Sequence, residues 1–508
     1  NESSQDSATT DDGQLIAFES SANNLVVGDT NGGQDIFLHN TLTGTTERVS
    51  VAGADPAISA DGRFVGFTSG APNLVLNDTN ADADIFVYDR TNRSTTRVSV
   101  GSADNQANGE SFHPAISTTG RFIVFSSYAS NLVGSDTNGE ADVFVRDRDV
   151  DGNGFFDEPA GGTTVRVSLS STGGPANGGS GCADITHDGR FVVFSSGASN
   201  LVNADTNGQP DIFLRDLLLG VTDRVNVDNA GNQAVPTTVY SGPECLDVSA
   251  DGRFIAFHSW SDNLVPGDTN DYCRDYLGQS INCPDIFVRD RLLGLTDRVN
   301  LSSTGQQAQG GSFESILSAD GRFVGFQSNA PGLVSSDASC CSVDIFVRDR
   351  QSGTTIRANV GSSGSASSTG GSSDLPAISR NGRYVSFRSN APDLVQNDTN
   401  TCSVFTTPGV CPDIFVRDLG DEDGDGEWNP FDNCAALSNP AQLDVDNDDV
   451  CDVCDLCIET APGAVADENG CSNIQVDSDA DGICTPDAPS DGPGNCIGSD
   501  NCPTVANA

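Results

Sequence analysis

The sequence contains no lysine and no methionine, and all 25 of its basic residues are arginine. They are outnumbered by 72 acidic residues, which leaves a net charge of −47 at neutral pH. Such a charge repels nucleic-acid backbones and anionic membrane surfaces and favours cations, so we expect no nucleic-acid partner. Because no initiator methionine and no signal peptide are present, we expect a processed product or part of a longer chain.

No apolar run approaches the ~18 residues of a membrane-spanning helix, so we predict no membrane insertion of the given chain. Histidine is scarce, and His39, His113, His187 and His258 share no motif. No G-x-S-x-G nucleophile elbow occurs, and no repeat carries a distinctive acid–base cluster. We therefore expect no catalytic residue, no organic cofactor and no enzyme.

Sixteen cysteines, many of them closely spaced, indicate disulfides and an oxidising, extracellular or cell-surface location. A zinc protein is the alternative, but no cysteine pair has a histidine beside it. Two pairs bracket inserted loops, and a third occupies equivalent positions in neighbouring repeats. The pairings that these positions favour are Cys273–Cys283, Cys402–Cys411 and Cys182–Cys245.

A hexapeptide close to D-I-F-V-R-D recurs seven times, beginning at Asp35, Asp84, Asp142, Asp211, Asp285, Asp344 and Asp413. Successive copies are 49 to 74 residues apart, which is the spacing of a repeat architecture. Each copy follows a second signature, such as A-I-S-A-D-G-R-F-V-G-F at residues 57–67. Turn residues divide each repeat into four short strands, of which R-V-S-V segments form the last.

Apolar residues fall on both faces of the second and third strands, as at Phe64, Val65 and Phe67. A strand buried on both faces fits a sheet packed between two others, which every blade of a β-propeller provides. The D-G-R-F and D-I-F-V-R-D pattern resembles TolB-like, WD-type propeller repeats. That resemblance, over residues 1–420, implies an all-β, seven-bladed β-propeller, but no single activity because this fold carries many functions.

The sequence contains only six R-V-S-V segments for seven blades, at Arg48, Arg97, Arg166, Arg224, Arg298 and, in degenerate form, Arg357. After the last D-I-F-V-R-D the chain turns directly to an acidic segment. We therefore predict that the last blade lacks its outer strand within the given chain and has an open sheet edge. Either upstream residues or another molecule would complete the blade.

Charged groups within the repeat are predicted to be scaffold, because they recur in blade after blade. The dipeptides Arg289–Asp290 and Arg348–Asp349 are interpreted as ties between blades. Loops of the D-T-N type, at Asp29, Asp78, Asp136, Asp205, Asp268 and Asp398, allow two interpretations. Their oxygens suit Ca²⁺, or they bond their own backbone in Asx-turns, which we favour because no closing carboxylate follows.

An insertion in the third blade reads D-R-D-V-D-G-N-G-F-F-D-E over residues 147–158. It resembles an EF-hand calcium loop, with a bend-forming glycine at its sixth position and a closing glutamate at its twelfth. No flanking helices are evident. The resemblance implies a calcium site with the ligands Asp147, Asp149, Asp151, Asn153 and Glu158.

Composition changes at residue 421, since residues 421–508 hold 17 Asp, 4 Glu, 8 Cys and no Arg. Burial of so few apolar side chains cannot offset the conformational entropy that the chain loses on folding. We therefore expect metal ions and disulfides to stabilise this irregular C-terminal region. Its acidic loops, with N-P-A-Q-L at residues 439–443 between them, resemble thrombospondin type 3 repeats. The resemblance implies several Ca²⁺ ions, with the ligands Asp421, Asp423, Asp425, Asn429, Asp432, Asp444, Asp446, Asp448, Asp452, Asp455, Asp477, Asp479, Asp481 and Asp500.

These observations favour an exported, calcium-binding structural or adhesive protein of a bacterial surface. One version of the hypothesis is head-to-tail self-association into a polymer or filament, through the open edge, the acidic region or both. The alternative is a propeller module that binds a surface glycan or a peptide, with Trp260, Tyr128 and the Cys273–Cys283 insertion as contacts. A propeller hydrolase or lyase is less favoured.

Overall fold

A computed structural model of the chain covers the seven repeats and parts of the acidic region. The described residues are 2–134, 136, 138–159, 161–235, 246–270, 273–274, 280–335, 342–361, 371–396, 398, 401–404, 407–420, 428–431, 442–445, 450, 455, 457, 460 and 471–477. The chain divides into two compact units, Asn1–Asp418 and Leu419–Ala508.

The first unit contains seven antiparallel sheets that follow one another along the chain. Sheets one and two contain β1 (Ser4–Thr9), β2 (Leu15–Ser20), β3 (Asp35–Asn40), β4 (Thr45–Ser50), β5 (Ala54–Ile58), β6 (Phe64–Ser69), β7 (Asp84–Asp89) and β8 (Ser94–Arg97). Sheets three and four contain β9 (Ser111–Ile116), β10 (Phe122–Ser127), β11 (Asp142–Asp147), β12 (Thr163–Arg166), β13 (Ser180–Ile185), β14 (Phe191–Ser196), β15 (Asp211–Asp216) and β16 (Val221–Arg224).

The remaining sheets carry two inserted hairpins. Sheet five contains β17 (Leu246–Val248) and β18 (Phe254–Ser259), then the hairpin of β19 (Cys273–Arg274) and β20 (Ser280–Ile281), then β21 (Asp285–Asp290) and β22 (Leu295–Arg298). Sheet six contains β23 (Ser312–Leu317), β24 (Phe323–Ser328), β25 (Asp344–Asp349) and β26 (Thr355–Arg357). Sheet seven contains β27 (Ser373–Ile378), β28 (Tyr384–Ser389) and, after the hairpin of β29 (Thr401–Val404) and β30 (Thr407–Val410), β31 (Asp413–Asp418).

Each sheet is one blade of a seven-bladed β-propeller, so the predicted all-β fold is confirmed. Within a blade the strands pair in sequence order, from the inner strand at the central channel to the outer strand at the rim. The middle strands form the core because both of their faces are apolar. In blade 2, for example, Phe64, Val65, Phe67 and Phe86 are at most 1% exposed. The rings of Phe67 and Phe86 stack with their centroids 5.8 Å apart.

The D-G turn between the first and second strands packs each blade on the preceding one. Gly321 has φ +70°, and a Cβ there would overlap the ring of Phe254 in the preceding blade. Any larger residue is therefore disfavoured by both backbone conformation and space. The same contact joins the last blade to the first, where Gly13 lies against the ring of Tyr384. The ring is thus closed by face-to-face packing of blades 7 and 1.

The two residues of each Arg–Asp dipeptide form hydrogen bonds with different blades. Arg289 Nη1 donates to the main-chain oxygen of Asp228 in the preceding blade at 3.4 Å, as predicted for an inter-blade tie. Asp290 instead binds Arg253 of its own blade, with bonds of 2.7 to 3.1 Å. The dipeptide at 348–349 repeats this arrangement. Only the arginine half of the predicted tie therefore crosses between blades.

Blade 7 has three strands in the described part of the chain, which confirms the prediction of an open edge. In blades 2 to 6 the outer strand ends at the arginine of R-V-S-V, earlier than predicted, whereas in blade 1 it continues to Ser50. In blade 5 it ends at Arg298 because a side chain replaces the next main-chain acceptor. Asn300 Oδ1 accepts the N–H of Ile286 at 3.1 Å.

The predicted Cys273–Cys283 disulfide is present and closes the inserted hairpin of blade 5. Cys411 is also disulfide-bonded. The side chains of Cys245 and Cys402 lie outside the description. None of the helices in the described ranges is long and apolar enough to cross a membrane.

The second unit contains, among its described residues, one short helix, α1 (Asn473–Val476). A disulfide that the sequence did not predict joins Cys457 and Cys471, and these two residues form a small buried cluster with Val476. The side chain of Gln475 supports the cluster, because its Nε2 donates to the main-chain oxygen of Cys457 at 2.9 Å.

Candidate functional site at the channel mouth

The inner strands surround a central cavity of about 320 Å³. In six of them a residue with φ between +26° and +52° lies at the same repeat position, where the pairing with the second strand is irregular. A bulge re-aims its side chain, and a positive φ on a residue other than glycine is strained. These side chains line the cavity and differ from blade to blade: Asp6, Asp55, His113, Cys182, Glu314 and Leu375.

A second set of residues varies in the same way. It occupies the fifth position of each second strand, always between a phenylalanine and a serine: Glu19, Thr68, Ser126, Ser195, His258, Gln327 and Arg388. The two sets contact each other, since Thr68 Oγ1 donates to Asp55 Oδ2 at 3.1 Å and the N–H of Leu375 donates to Gln327 Oε1 at 3.0 Å. We call both sets together the channel mouth. Variable residues on a repeated scaffold are typical of a binding surface.

Blades 7, 1 and 2 make one side of the channel mouth acidic. Glu19 accepts hydrogen bonds from Gln34 Nε2 at 2.5 Å and from the N–H of Asp55 at 3.2 Å. Burial, and then the nearby carboxylate of Asp6, raises the pKa of Glu19 to about 7. Burial also raises the pKa of Asp6. Arg388 supplies positive charge and binds both oxygens of an aspartate on its own blade.

Blades 3, 5 and 6 make the opposite side aromatic. Tyr128 is 54% exposed, and its ring lies 5.7 Å from that of Phe112. Both rings line a cavity of about 330 Å³ together with Glu140. Trp260 occupies the position equivalent to Tyr128 in blade 5, and its ring lies 6.0 Å from that of Phe313. The two predicted contact residues therefore follow the second strands of different blades, at the same end of the channel.

A carboxyl pair lies beside the mouth on the inner strands of blades 4 and 5. Burial, followed by the adjacent carboxylate of Asp184, raises the pKa of Asp247 well above its usual range. The N–H of Leu317 in blade 6 donates to Asp247 Oδ2 at 2.6 Å. Asp247 is therefore favoured in its protonated form, and the pair contacts three consecutive blades.

Sequence reasoning missed the acidic half of the mouth. Acidic residues are abundant along the whole chain, and no repeated motif marks these positions. The signal that would have found Glu19, Asp6 and Asp55 is a position-by-position alignment of the seven repeats, in which these positions vary between residues that stay constant.

The predicted calcium ligand Asp147 belongs to the scaffold. Its two carboxylate oxygens accept hydrogen bonds from Arg121 at 2.7 and 2.8 Å. Asp89 binds Arg63 in the same way in blade 2. Asp147 is the last residue of the D-I-F-V-R-D motif, and its oxygens already have a cationic partner.

The other predicted ligands of the blade 3 insertion lie close together. Asp149 accepts the main-chain N–H groups of Asn153 and Gly154, each at 3.0 Å. Asn153 Nδ2 donates to Asp151 at 2.9 Å and to Glu158 at 2.8 Å. Counted from Asp149, the loop reads D-x-D-x-N-G and places a glycine at the sixth position, as in EF-hand loops. No group of three metal-binding side chains is assembled in the described ranges, so calcium stays a prediction here.

Four predicted ligands of the acidic region are described, namely Asn429, Asp444, Asp455 and Asp477. Asp455 Oδ1 accepts the N–H of Cys457 at 2.7 Å. The predicted ligands that lie outside the described residues are Asp421, Asp423, Asp425, Asp432, Asp446, Asp448, Asp452, Asp479, Asp481 and Asp500.

The D-T-N loops follow the turn interpretation. Asp268 contacts Arg298 at 3.4 Å, and the same guanidinium contacts Asp285 at 3.0 Å. Blades 1 to 4 repeat this arrangement of one arginine between two aspartates. The asparagine forms the Asx-turn, since Asn207 Oδ1 accepts the N–H of Gln209 at 3.1 Å. In each of these blades the arginine offsets one of the two aspartate charges, and the asparagine amide supports the turn without a metal ligand.

No protein-family model matches the chain, and no curated protein does. Among solved structures it is similar to TolB from Acinetobacter baumannii, with 16% identity over 58% of this chain and 53% of TolB and a TM-score of 0.34. The chain thus spans about half the length of that structure. It is also similar to the β-propeller domain of the Trilobed protease from Pyrococcus furiosus, described as having an open velcro topology. For this domain the identity is 12%, the match covers 76% of this chain and 89% of the domain, and the TM-score is 0.45. An oligogalacturonate lyase from Vibrio parahaemolyticus is similar as well, with 11% identity over 82% of this chain and 89% of the lyase and a TM-score of 0.43.

Proposed function

We propose that the protein is an exported, calcium-binding structural or adhesive surface protein that binds its target at the channel mouth. The observation that carries the proposal is the distribution of variation between blades. Glycines, phenylalanines and ion pairs of the scaffold repeat, whereas the two sets of mouth residues do not. Binding residues concentrate where a rigid scaffold presents them, and here they are presented by the inner and second strands of the blades.

A glycan is the target class that the mouth favours. The exposed ring of Tyr128 and the ring of Phe112 offer apolar faces, and Glu140 beside them offers a hydrogen-bond acceptor. Trp260 and Phe313 form a second aromatic pair. Aromatic faces with a few polar groups suit a ligand that has both apolar and hydroxyl surfaces. A peptide is the alternative ligand of the same surface.

Calcium is proposed to rigidify both units. In blade 3 we favour Asp149, Asp151, Asn153 and Glu158 as ligands over Asp147, because both carboxylate oxygens of Asp147 pair with Arg121. Hard oxygen ligands in an acidic loop are what Ca²⁺ requires, and the ion would hold the insertion in one conformation. The thrombospondin type 3 character of residues 421–508 belongs to the same proposal.

Self-association is the structural version of this function. Bridging calcium ions would relieve the repulsion between chains that carry a charge of −47 each. Sedimentation velocity of the purified chain in millimolar Ca²⁺ and then in excess chelator tests this version. Large species that dissolve on chelation would support a calcium-dependent polymer, whereas a monomer in both conditions would refute it.

Binding at the mouth is tested with Tyr128→Ala and Trp260→Ala on an array of bacterial surface polysaccharides. We expect at least tenfold weaker binding of whichever glycan the parent captures, because each change removes an aromatic face. Leu292→Ala is the matched control. Leu292 is 75% exposed and lies in the turn between β21 and β22, at the end of these strands that is away from the channel mouth. Equal binding by all variants, or no glycan bound by the parent, would contradict the proposal.

A further inference from the structure

The open edge of blade 7 exposes a strand that every other blade covers. The strands β21, β25 and β31 have the identical sequence D-I-F-V-R-D. Their fourth residues, Val288 and Val347, are 0% exposed in blades 5 and 6, whereas Val416 is 38% exposed in blade 7. Because the sequences are the same, the difference comes from the surroundings of the strand. Exposed strand edges pair readily with a further strand.

A groove of about 610 Å³ lies at this edge, between blade 7 and blade 1. Ile414, Phe415 and Val416 line it on one side, and Ile16 and Phe18 of β2 line it on the other. The main-chain groups of β31 that face outward complete the surface. An apolar groove beside a free strand edge fits an extended peptide, which gains main-chain hydrogen bonds and side-chain burial together.

The outer strands of the other blades show which side chains such a peptide would carry. Each of the six strands, together with the residues that directly follow it, carries the pattern T-x-R-x-S or T-x-R-x-N, at residues 46–50, 95–99, 164–168, 222–226, 296–300 and 355–359. In blade 5, Thr296 Oγ1 donates to Val227 O of the preceding blade at 2.5 Å. Arg298 contacts Asp285 at 3.0 Å, and Asn300 Nδ2 donates to the same carboxylate at 2.6 Å. Each of the three fixed residues therefore has a defined acceptor.

Blade 7 retains the corresponding acceptors. By repeat position the acceptors are the main-chain oxygen of Val360 and the carboxylates of Asp413 and Asp398. The N–H of Ile414 is the corresponding donor, as the N–H of Ile286 is for Asn300 Oδ1 in blade 5. The six T-x-R-x-S/N segments of the chain lie in the outer strands of blades 1 to 6, and residues 421–508 contain no arginine. The given 508 residues thus contain no seventh copy of the pattern.

We propose that the groove binds an extended T-x-R-x-S/N segment of another polypeptide, which adds to β31 as the fourth strand of blade 7. The pairing is antiparallel, with the arginine opposite Phe415, as Arg298 lies opposite Phe287 in blade 5. The acidic charge of the chain favours an arginine-bearing partner. This inference is independent of the ligand at the channel mouth.

The test uses the full chain and a fluorescein-labelled peptide with the sequence L-T-D-R-V-N-L of residues 295–301. Fluorescence anisotropy should show saturable binding, and a peptide with glutamate in place of the arginine should bind at least tenfold more weakly. Ile286 directs its N–H to the outer strand, and Val288 two residues later has the same orientation. The equivalent N–H of Val416 therefore faces outward in β31, and Val416→Pro, which removes it, should weaken binding at least tenfold. Val416→Ala keeps this N–H and should stay within threefold of the parent.

Thermal melting shows whether both variants are folded, because a proline at an outward position of an edge strand leaves the pairing with β28 intact. No saturable binding, equal binding of the glutamate peptide, or equal binding by folded Val416→Pro would overturn the proposal. A chain with the peptide fused upstream provides a further arm. If only the fused strand raises the melting temperature while the free peptide does not bind, the occupant is a segment of the same chain and our assignment is wrong.

Discussion

Replacing Glu19 with glutamine tests the electrostatics of the channel mouth most directly. Glu19 is 3% exposed, and burial together with Asp6 raises its pKa from 4.5 to about 7. The folded protein therefore binds this proton more tightly than the unfolded chain does. The stabilisation is complete below pH 4.5 and is lost as the pH rises through 7.

The interval between the two pKa values corresponds to about 3 kcal/mol of unfolding free energy. Glutamine has the same shape, can still accept the N–H of Asp55, and cannot ionise. We expect Glu19→Gln to match the parent near pH 4.5. At pH 8 the variant should exceed the parent by about 2 to 3 kcal/mol, because only the parent must then bury a carboxylate.

Chemical denaturation between pH 4.5 and 8.5, at fixed calcium, measures this difference. Trp428→Phe in all variants restricts the fluorescence signal to Trp260 and thus to the propeller. Glu47→Gln is the matched control, because Glu47 lies exposed on an outer strand and should leave the pH profile of the parent unchanged. Parallel profiles of Glu19→Gln and the parent across this range would refute the reasoning.

Three further predictions concern other parts of the propeller. Gly321→Ala should lower the unfolding free energy by about 2 to 4 kcal/mol, since the methyl group overlaps a neighbouring ring; Gly305→Ala, with φ +77° but open space, should cost only about 1 kcal/mol in the same denaturation assay. Asp149→Asn should reduce the calcium stoichiometry measured by calorimetry by one ion, whereas Asp147→Asn should keep the stoichiometry and lower stability. The reverse result would favour a calcium loop that begins at Asp147, as the sequence predicts. Asp247→Asn should be more stable than the parent at pH 8, with a difference that shrinks towards pH 5, because only the parent loses stability as the raised pKa of Asp247 is passed. A difference that stays constant with pH would contradict a raised pKa of Asp247.

The sequence was sufficient for the architecture because the propeller is built from a repeated local pattern. Seven D-I-F-V-R-D copies specify seven third strands, and apolar residues on both faces specify burial between sheets. The missing outer strand could also be counted directly. The exact end of the outer strands could not be predicted, because it depends on side chains such as Asn300. The side-chain oxygen of Asn300 accepts a hydrogen bond from the third strand in place of a main-chain oxygen.

The candidate site was less accessible from sequence for a different reason. Asp147 and Asp149 are chemically alike, and only the position of Arg121 distinguishes the scaffold residue from the remaining calcium candidate. Likewise, Glu19 is one of 72 acidic residues, and its raised pKa arises first from burial and then from Asp6 on the paired strand β1. Burial of this kind is a property of the folded propeller rather than of any motif.

The seam between blades 7 and 1 has a mechanical consequence. Four other seams are tied by a threonine hydroxyl of an outer strand that donates to a main-chain oxygen of the preceding blade. Blade 7 has no outer strand in the described chain, and its contacts with blade 1 include Gly13 against Tyr384 and a 2.9 Å bond from the N–H of Ser4 to Pro412 O. The outer strand that would carry this threonine is missing from the described part of blade 7, so under tension the ring should open first at a seam of blade 7. A fourth strand paired with β31 would then determine the force at which the propeller opens.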